Sequence, residues 1–152
     1  MTEIYVDADA CPGREEVYRV AGRLTLRVHV VSNGSRPIRP PGLAHVEMVI
    51  VGEAMDAADD WIAERIGAGD ICVTADIPLA SRCLAKGARV VPPNGRPFTE
   101  ANIGSALAGR EIARHLRELG EGGRGPPPFT RADRSRFLSA LDTAAQAALR
   151  GR

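Results

Sequence analysis

The chain is poor in several features that would each have named a class of function. Aromatic residues are only 4% of it, so the stacking platforms used by sequence-independent single-strand binders are scarce. Cysteine occurs three times, as Cys11, Cys72 and Cys83, with no Cys-x-x-Cys pair. That excludes a disulfide framework and a structural zinc site, and it points to a reducing, cytoplasmic setting. The three histidines are scattered and read as surface or core residues rather than metal ligands. No apolar run approaches the roughly 18 residues needed to span a bilayer. The N-terminus lacks the basic stretch and apolar run of a secretory leader, so neither a leader nor a membrane partner is expected. Lysine is nearly absent: 19 of the 20 basic residues are arginine, which reads as codon bias and weakens arginine richness as a sign of nucleic-acid binding.

What remains is ordinary for a globular chain. Hydrophobic residues are 44% and charged residues 26%, and 152 residues suit one domain. A chain of that length buries roughly 70% of its unfolded surface, so it needs no staple. Charge is uneven. Residues 1–95 carry ten basic and thirteen acidic side chains, net −3, whereas residues 96–152 carry ten and six, net +4. An acidic front and a basic back suit a nucleic-acid ligand, although imbalances of this size also occur without function.

Periodicity gives the architecture. Residues 3–6, 26–31, 45–51, 71–74 and 88–91 read as strands, the second rich in β-branched residues. Residues 14–24, 55–66 and 77–85 read as helices, the last stopped by Gly87. Residues 32–44 form a Gly- and Pro-dense loop. Alternating strands and helices predict an α/β fold with a mostly parallel sheet of about five strands, covered on both faces. Residues 99–119 read as helix with a possible break near Gly109. Residues 120–129 are expected to be an ordered strap, and Thr130 with Asp133 resembles a capping box opening a last helix to about residue 150. The expected organisation is a core over residues 1–98 with a helical C-terminal extension, residues 99–152, packed on it. Phe129 and Phe137 would be its apolar anchors.

Ligands of open α/β sheets sit at the carboxyl ends of the strands, where strand order reverses. With strand one central, two and three on one side and four and five on the other, Asp7 and Asp9 at the end of strand one meet Asp76 beyond strand four. The helix of residues 55–66 starts at the same edge and brings Asp56, Asp59 and Asp60. Helix-dipole complementation could account for Asp56, Asp59 and Asp60 and capping for Asp76, but Asp7 ends a central strand and is costly to bury unpaired. Two carboxylates about 4 Å apart repel by roughly 4 kcal/mol at an effective dielectric near 20. Several together need a proton, an arginine or a cation, and an all-oxygen site suits Mg²⁺ or Mn²⁺. Such a site suggests phosphodiester hydrolysis. Ser32, Asn33 and Arg36, after strand two, are candidate phosphate contacts, with a plain turn as the alternative. Cys11 reads as a small packing residue.

The motifs VDADACP, DAADDWI, GDICVTADIPLA and GRGPPPFTRADR, in that order, resemble the YaiI/YqxD family of uncharacterised bacterial proteins over nearly the whole chain. The resemblance implies a three-layer PIN-like fold, that of metal-dependent nucleases. It gives metal-binding roles to Asp7, Asp59 or Asp60, and Asp76, with Asp9 as an addition. Asp7 and Asp76 are the expected catalytic residues, and the expected substrate is nucleic acid, RNA ahead of DNA. Two other readings stand beside it. Asp7-x-Asp9 and VVSNG resemble haloacid-dehalogenase-type phosphohydrolases, with Asp7 as nucleophile and Ser32 on phosphate. That pattern wants a lysine before the last acidic motif, and Lys86 comes after Asp76. The third reading is RNA binding without catalysis.

Overall fold

The computed structural model describes residues 2–54, 56–118 and 129–151. Five strands form one sheet: β1 (Glu3–Asp7), β2 (Arg27–Ser32), β3 (Val46–Ile50), β4 (Ile71–Val73) and β5 (Arg89–Val91). Their order is β3-β2-β1-β4-β5 and every neighbouring pair is parallel. Strand order therefore reverses at β1, as the sequence predicts. Around the sheet lie α1 (Arg14–Leu24), α2 (Ala57–Arg65), α3 (Ile77–Ala85), α4 (Glu100–Glu118) and α5 (Arg131–Leu149). A short 3-10 turn, Ala8–Ala10, follows β1.

The two-residue period of the strands divides the core. Ile4, Val6, Val28, Val30, Ile71 and Val73 belong to one apolar cluster with α1 and α5. Tyr5, Val31, Cys72 and Val90 belong to the other, with Ile62 of α2 and Leu79 of α3. Strands buried on both faces must be apolar at nearly every position, which is why β1 and β4 read as short unbroken hydrophobic runs. The parallel link from β2 to β3 has no helix; residues 33–45 cross as an irregular loop. This leaves β3 a half-buried edge strand.

Three local details differ from expectation. β1 runs through Asp7 and β4 stops at Val73, leaving Thr74 just past its end. α2 begins at Ala57, because Asp56 takes a left-handed conformation with φ 66°. α4 runs unbroken through Gly109: a single glycine costs a helix only about 1 kcal/mol. The capping box is present. The Thr130 hydroxyl accepts from the Asp133 amide at 3.1 Å, and the Asp133 carboxylate accepts from the Thr130 amide at 2.9 Å. Phe137 of α5 is fully buried in the α1-side cluster and Phe129 packs against that cluster. The expected strap otherwise lies outside the described residues. No helix among the described residues is long and apolar enough to cross a membrane.

Candidate functional site

Asp7 ends the central strand and is buried, with 6% of its surface exposed. Strand alternation puts its side chain on the Tyr5 face, toward α2 and α3. The pairing of Val6 with Val73 brings Thr74 alongside. The Thr74 hydroxyl donates to Asp7 Oδ2 at 2.9 Å and accepts from the Asp76 amide at 2.9 Å. Since the amide can only donate, the single hydroxyl proton points at Asp7. Thr74 is fully buried. The sequence marks it only as the first residue of Thr-Ala-Asp, and its part in orienting Asp7 became visible with the strand register.

Asp76 caps α3, its Oδ1 accepting from the Leu79 amide at 2.9 Å. The capping alternative is thus realised, while the same residue still acts on its neighbours. Asp59, in the first turn of α2, has its carboxyl pushed up from 3.8 to about 7. Burial is the largest cause, followed by repulsion from Asp76, Asp7 and Asp56, with Arg82 pulling the other way. Asp7 is raised as well, first by burial; the Thr74 hydrogen bond lowers it and Asp76 and Asp9 raise it. Carboxylates from β1, α2 and the start of α3 therefore feel one another across the switch point. Asp56 makes no side-chain capping bond, so capping does not account for it.

The remaining predicted residues divide. Asp60 bonds Arg82 at 2.8 Å on the surface, joining α2 to α3. Asp9 is exposed in the 3-10 turn, and its Oδ2 accepts from the Asn33 amide at 2.8 Å, which ties the exit of β1 to the loop after β2. The Asn33 side chain accepts from the Ser35 amide at 2.9 Å, an Asx-type turn. Ser32 is buried, and strand alternation places it on the α1 face, opposite Asp7. Arg36 is exposed and lines a cavity that also holds Asp9. Cys11 is buried, its thiol donating to the Val73 carbonyl at 3.4 Å, and burial pushes that thiol up, away from a nucleophile. Lys86 follows α3 and donates to the Ala63 carbonyl. α3 starts at the carboxyl edge of the sheet, so its far end lies at the opposite edge, remote from Asp7.

An oxygen-only donor set of repelling carboxylates fits a hard divalent cation by charge and chemistry. Among the described residues, however, no three His, Cys, Asp or Glu side chains stand close enough together to hold one. The chemistry of the donors fits; the side chains stand apart.

The model of the family described as "Uncharacterized BCR, YaiI/YqxD family" matches residues 5–147. A UPF0178 protein of Rhodospirillum centenum is 59% identical, covering 100% of both chains. Another from Paramagnetospirillum magneticum is 58% identical over 94% of this chain and 93% of its own, and one from Rhodospirillum rubrum is 55% identical over 99% of each. No solved structure matches. With the motifs in order along the chain and the match running nearly end to end, this protein belongs to the YaiI/YqxD family.

Proposed function

We propose that this protein is a divalent-metal-dependent nuclease of the cytoplasm, hydrolysing phosphodiesters at the carboxyl edge of a PIN-like sheet. The observation that carries the reading is the elevation of Asp59 to about 7 by burial and by Asp76 and Asp7. Structural carboxylates are normally paired with cations or hydrogen-bond donors. A carboxyl raised first by burial and then by neighbouring carboxylates suits a site waiting for positive charge or handling a proton. Asp7, Asp59 and Asp76 would hold Mg²⁺ or Mn²⁺ once their side chains close the gap that now separates them, with Asp9 and Asp60 as further carboxylates along the edge. The bound ion would supply water activation and charge stabilisation at the phosphoryl group. Thr74 orients the Asp7 carboxylate by fixing Oδ2. Asp59, held up to about 7 while the edge carries no cation, would give up its proton as the ion binds. Asn33 and Arg36 would meet the phosphate from the loop side. The remote position of Lys86 argues against the dehalogenase-type alternative.

The test is cleavage of labelled single-stranded RNA and DNA in Mg²⁺ or Mn²⁺, with EDTA controls, by wild type and Asp7→Asn. Asparagine keeps an acceptor for Thr74 and removes the charge. Wild type should cut, RNA ahead of DNA, and Asp7→Asn should not. Equal cleavage by both would mean a contaminating nuclease and would end the reading. A second reading, RNA binding without cleavage, draws on the absence of a ready three-ligand group among the described residues. Binding with no cleavage under any metal condition would select it.

A further inference from the structure

Beside the acidic edge, on the α1 side, two cavities adjoin. One has a volume of about 700 Å³ and the other about 390 Å³, and Pro12 and Arg14 line both. We propose that a single-stranded polynucleotide lies along this double groove, its phosphates tracking from Arg39 and Arg134, past Arg14, to Arg36 beside Asp9. Its delivery onto Asp7 rests on the nuclease reading; the groove itself does not.

Charge gives the first argument. Four guanidinium groups face the groove against the carboxylates of Glu15 and Asp9. Arg36 and Arg39 are exposed and make no ion pair among the described residues. Arg14 makes a long contact, 3.5 Å, to the Cys11 carbonyl and lies beside the Tyr18 hydroxyl. Arg134 is held in the far wall by Glu16 at 3.1 Å and by its position 4.8 Å over the Phe129 ring. Fixed and free arginines along one concave surface form a track for phosphate, which guanidinium groups bind in a bidentate manner.

Distribution gives the second argument. Arg39 and Arg134 line the larger cavity, Arg36 the smaller, and Arg14 the shared wall. Cations spread over two joined cavities suit a chain of phosphates better than a single phosphate. Pro12, Pro37 and Pro40 supply rigid apolar floor for sugars and base faces. Tyr18 closes the wall of the larger cavity; burial pushes its hydroxyl up, and the neighbouring Arg14 guanidinium pulls it back down. Cavities of about 700 and 390 Å³ suit a flexible single strand better than a rigid duplex.

Anisotropy of a short fluorescent oligo-uridine, in EDTA and over a salt series, tests the groove with the full chain. Wild type is compared with Arg36→Ala/Arg39→Ala, Arg39→Glu, and Arg110→Ala on α4 as an outside control. Each lost contact should lower the salt slope by about 0.7 and weaken binding about fivefold near 0.1 M salt. The double variant should therefore lose about 25-fold, Arg39→Glu at least as much as one contact, and Arg110→Ala nothing. Arg36 and Arg39 are exposed, and matching thermal melts would verify that the variants fold. The groove is overturned by unchanged affinity and slope in the double variant, or by an equal loss in Arg110→Ala. It is also overturned if uridine monophosphate competes as well as the oligomer per phosphate, if duplex RNA binds equally, or if wild type binds nothing. Arginine-dependent binding without cleavage in Mn²⁺ supports the groove and removes the nuclease reading. Cleavage by wild type with binding indifferent to these arginines removes the groove alone.

Discussion

At the scale of single residues, Asp7, Thr74 and Asp59 decide what the carboxyl edge can do. The Thr74 hydroxyl has its acceptor side filled by the Asp76 amide, so its proton steadies Asp7 as a carboxylate. Asp59 has no such donor, and burial together with Asp76, Asp7 and Asp56 lifts it from 3.8 to about 7. The folded state therefore binds this proton more tightly than the unfolded chain. The resulting stabilisation is complete below pH 3.8 and is lost as pH rises through about 7. Asp59→Asn is neutral at every pH. In EDTA its melting temperature should match wild type near the acid limit and exceed it increasingly through neutrality, levelling off above. Thermal melts across that range provide the check, and an advantage independent of pH would show that Asp59 is not held neutral by its neighbours. None of this could be read from an Asp-Asp pair at a helix start. The sequence offers Asp59 and Asp60 as equals, and the structure sends Asp60 to Arg82 and leaves Asp59 with the carboxylates.

At the scale of elements, the decisive contact is α5 against the start of α1. Gly13 ends the Cys-Pro-Gly turn that opens α1, and a Cβ built there would stand 2.7 Å from Phe137 Cε2. The glycine is required by space, since its φ of −94° is open to any residue. Phe137 fills that space completely, and Leu141 and Ala145 continue the contact one and two turns on. Phe137→Ala should cost about 3–5 kcal/mol, and Gly13→Ala about 1–3 kcal/mol through overpacking. Because both act through the same gap, the double variant should cost clearly less than the sum of the two. Urea unfolding of the four proteins measures the coupling, and strict additivity would mean that the two residues do not share the contact. The hydrophobic spacing of α5 marks Phe137 and Leu141 as inward-facing. That they face α1, and that a glycine more than a hundred residues away makes room, is outside the reach of any local pattern.

At the scale of the whole molecule, a cation at the switch point would link three segments distant in sequence: the end of β1, the start of α2 and the start of α3. Ligand binding to the folded state alone stabilises it by mass action, about 2.7 kcal/mol at a free concentration 100 times Kd. Excess Mn²⁺ should therefore raise the melting temperature of wild type above neutral pH. The gain should shrink as pH falls through about 7, where Asp59 takes up its proton, and Asp7→Asn should lose most of it. Differential scanning fluorimetry with and without EDTA reads this directly, and an identical gain in Asp7→Asn would place the metal elsewhere. The sequence by itself determined the five strands, a mostly parallel sheet and the presence of Asp7, Asp59 and Asp76 at the ends of elements that open on one edge. Each follows from local hydrophobic period, turn residues and the short reach of the connections. Only the tertiary structure decided which carboxylates act on one another, which way the Thr74 proton points, that Ser32 turns to the face opposite Asp7, and that Gly13 seats Phe137. Those depend on strand register and on helix seating across the sheet. A shift of one residue in register would exchange every face, and no window of neighbouring residues records it.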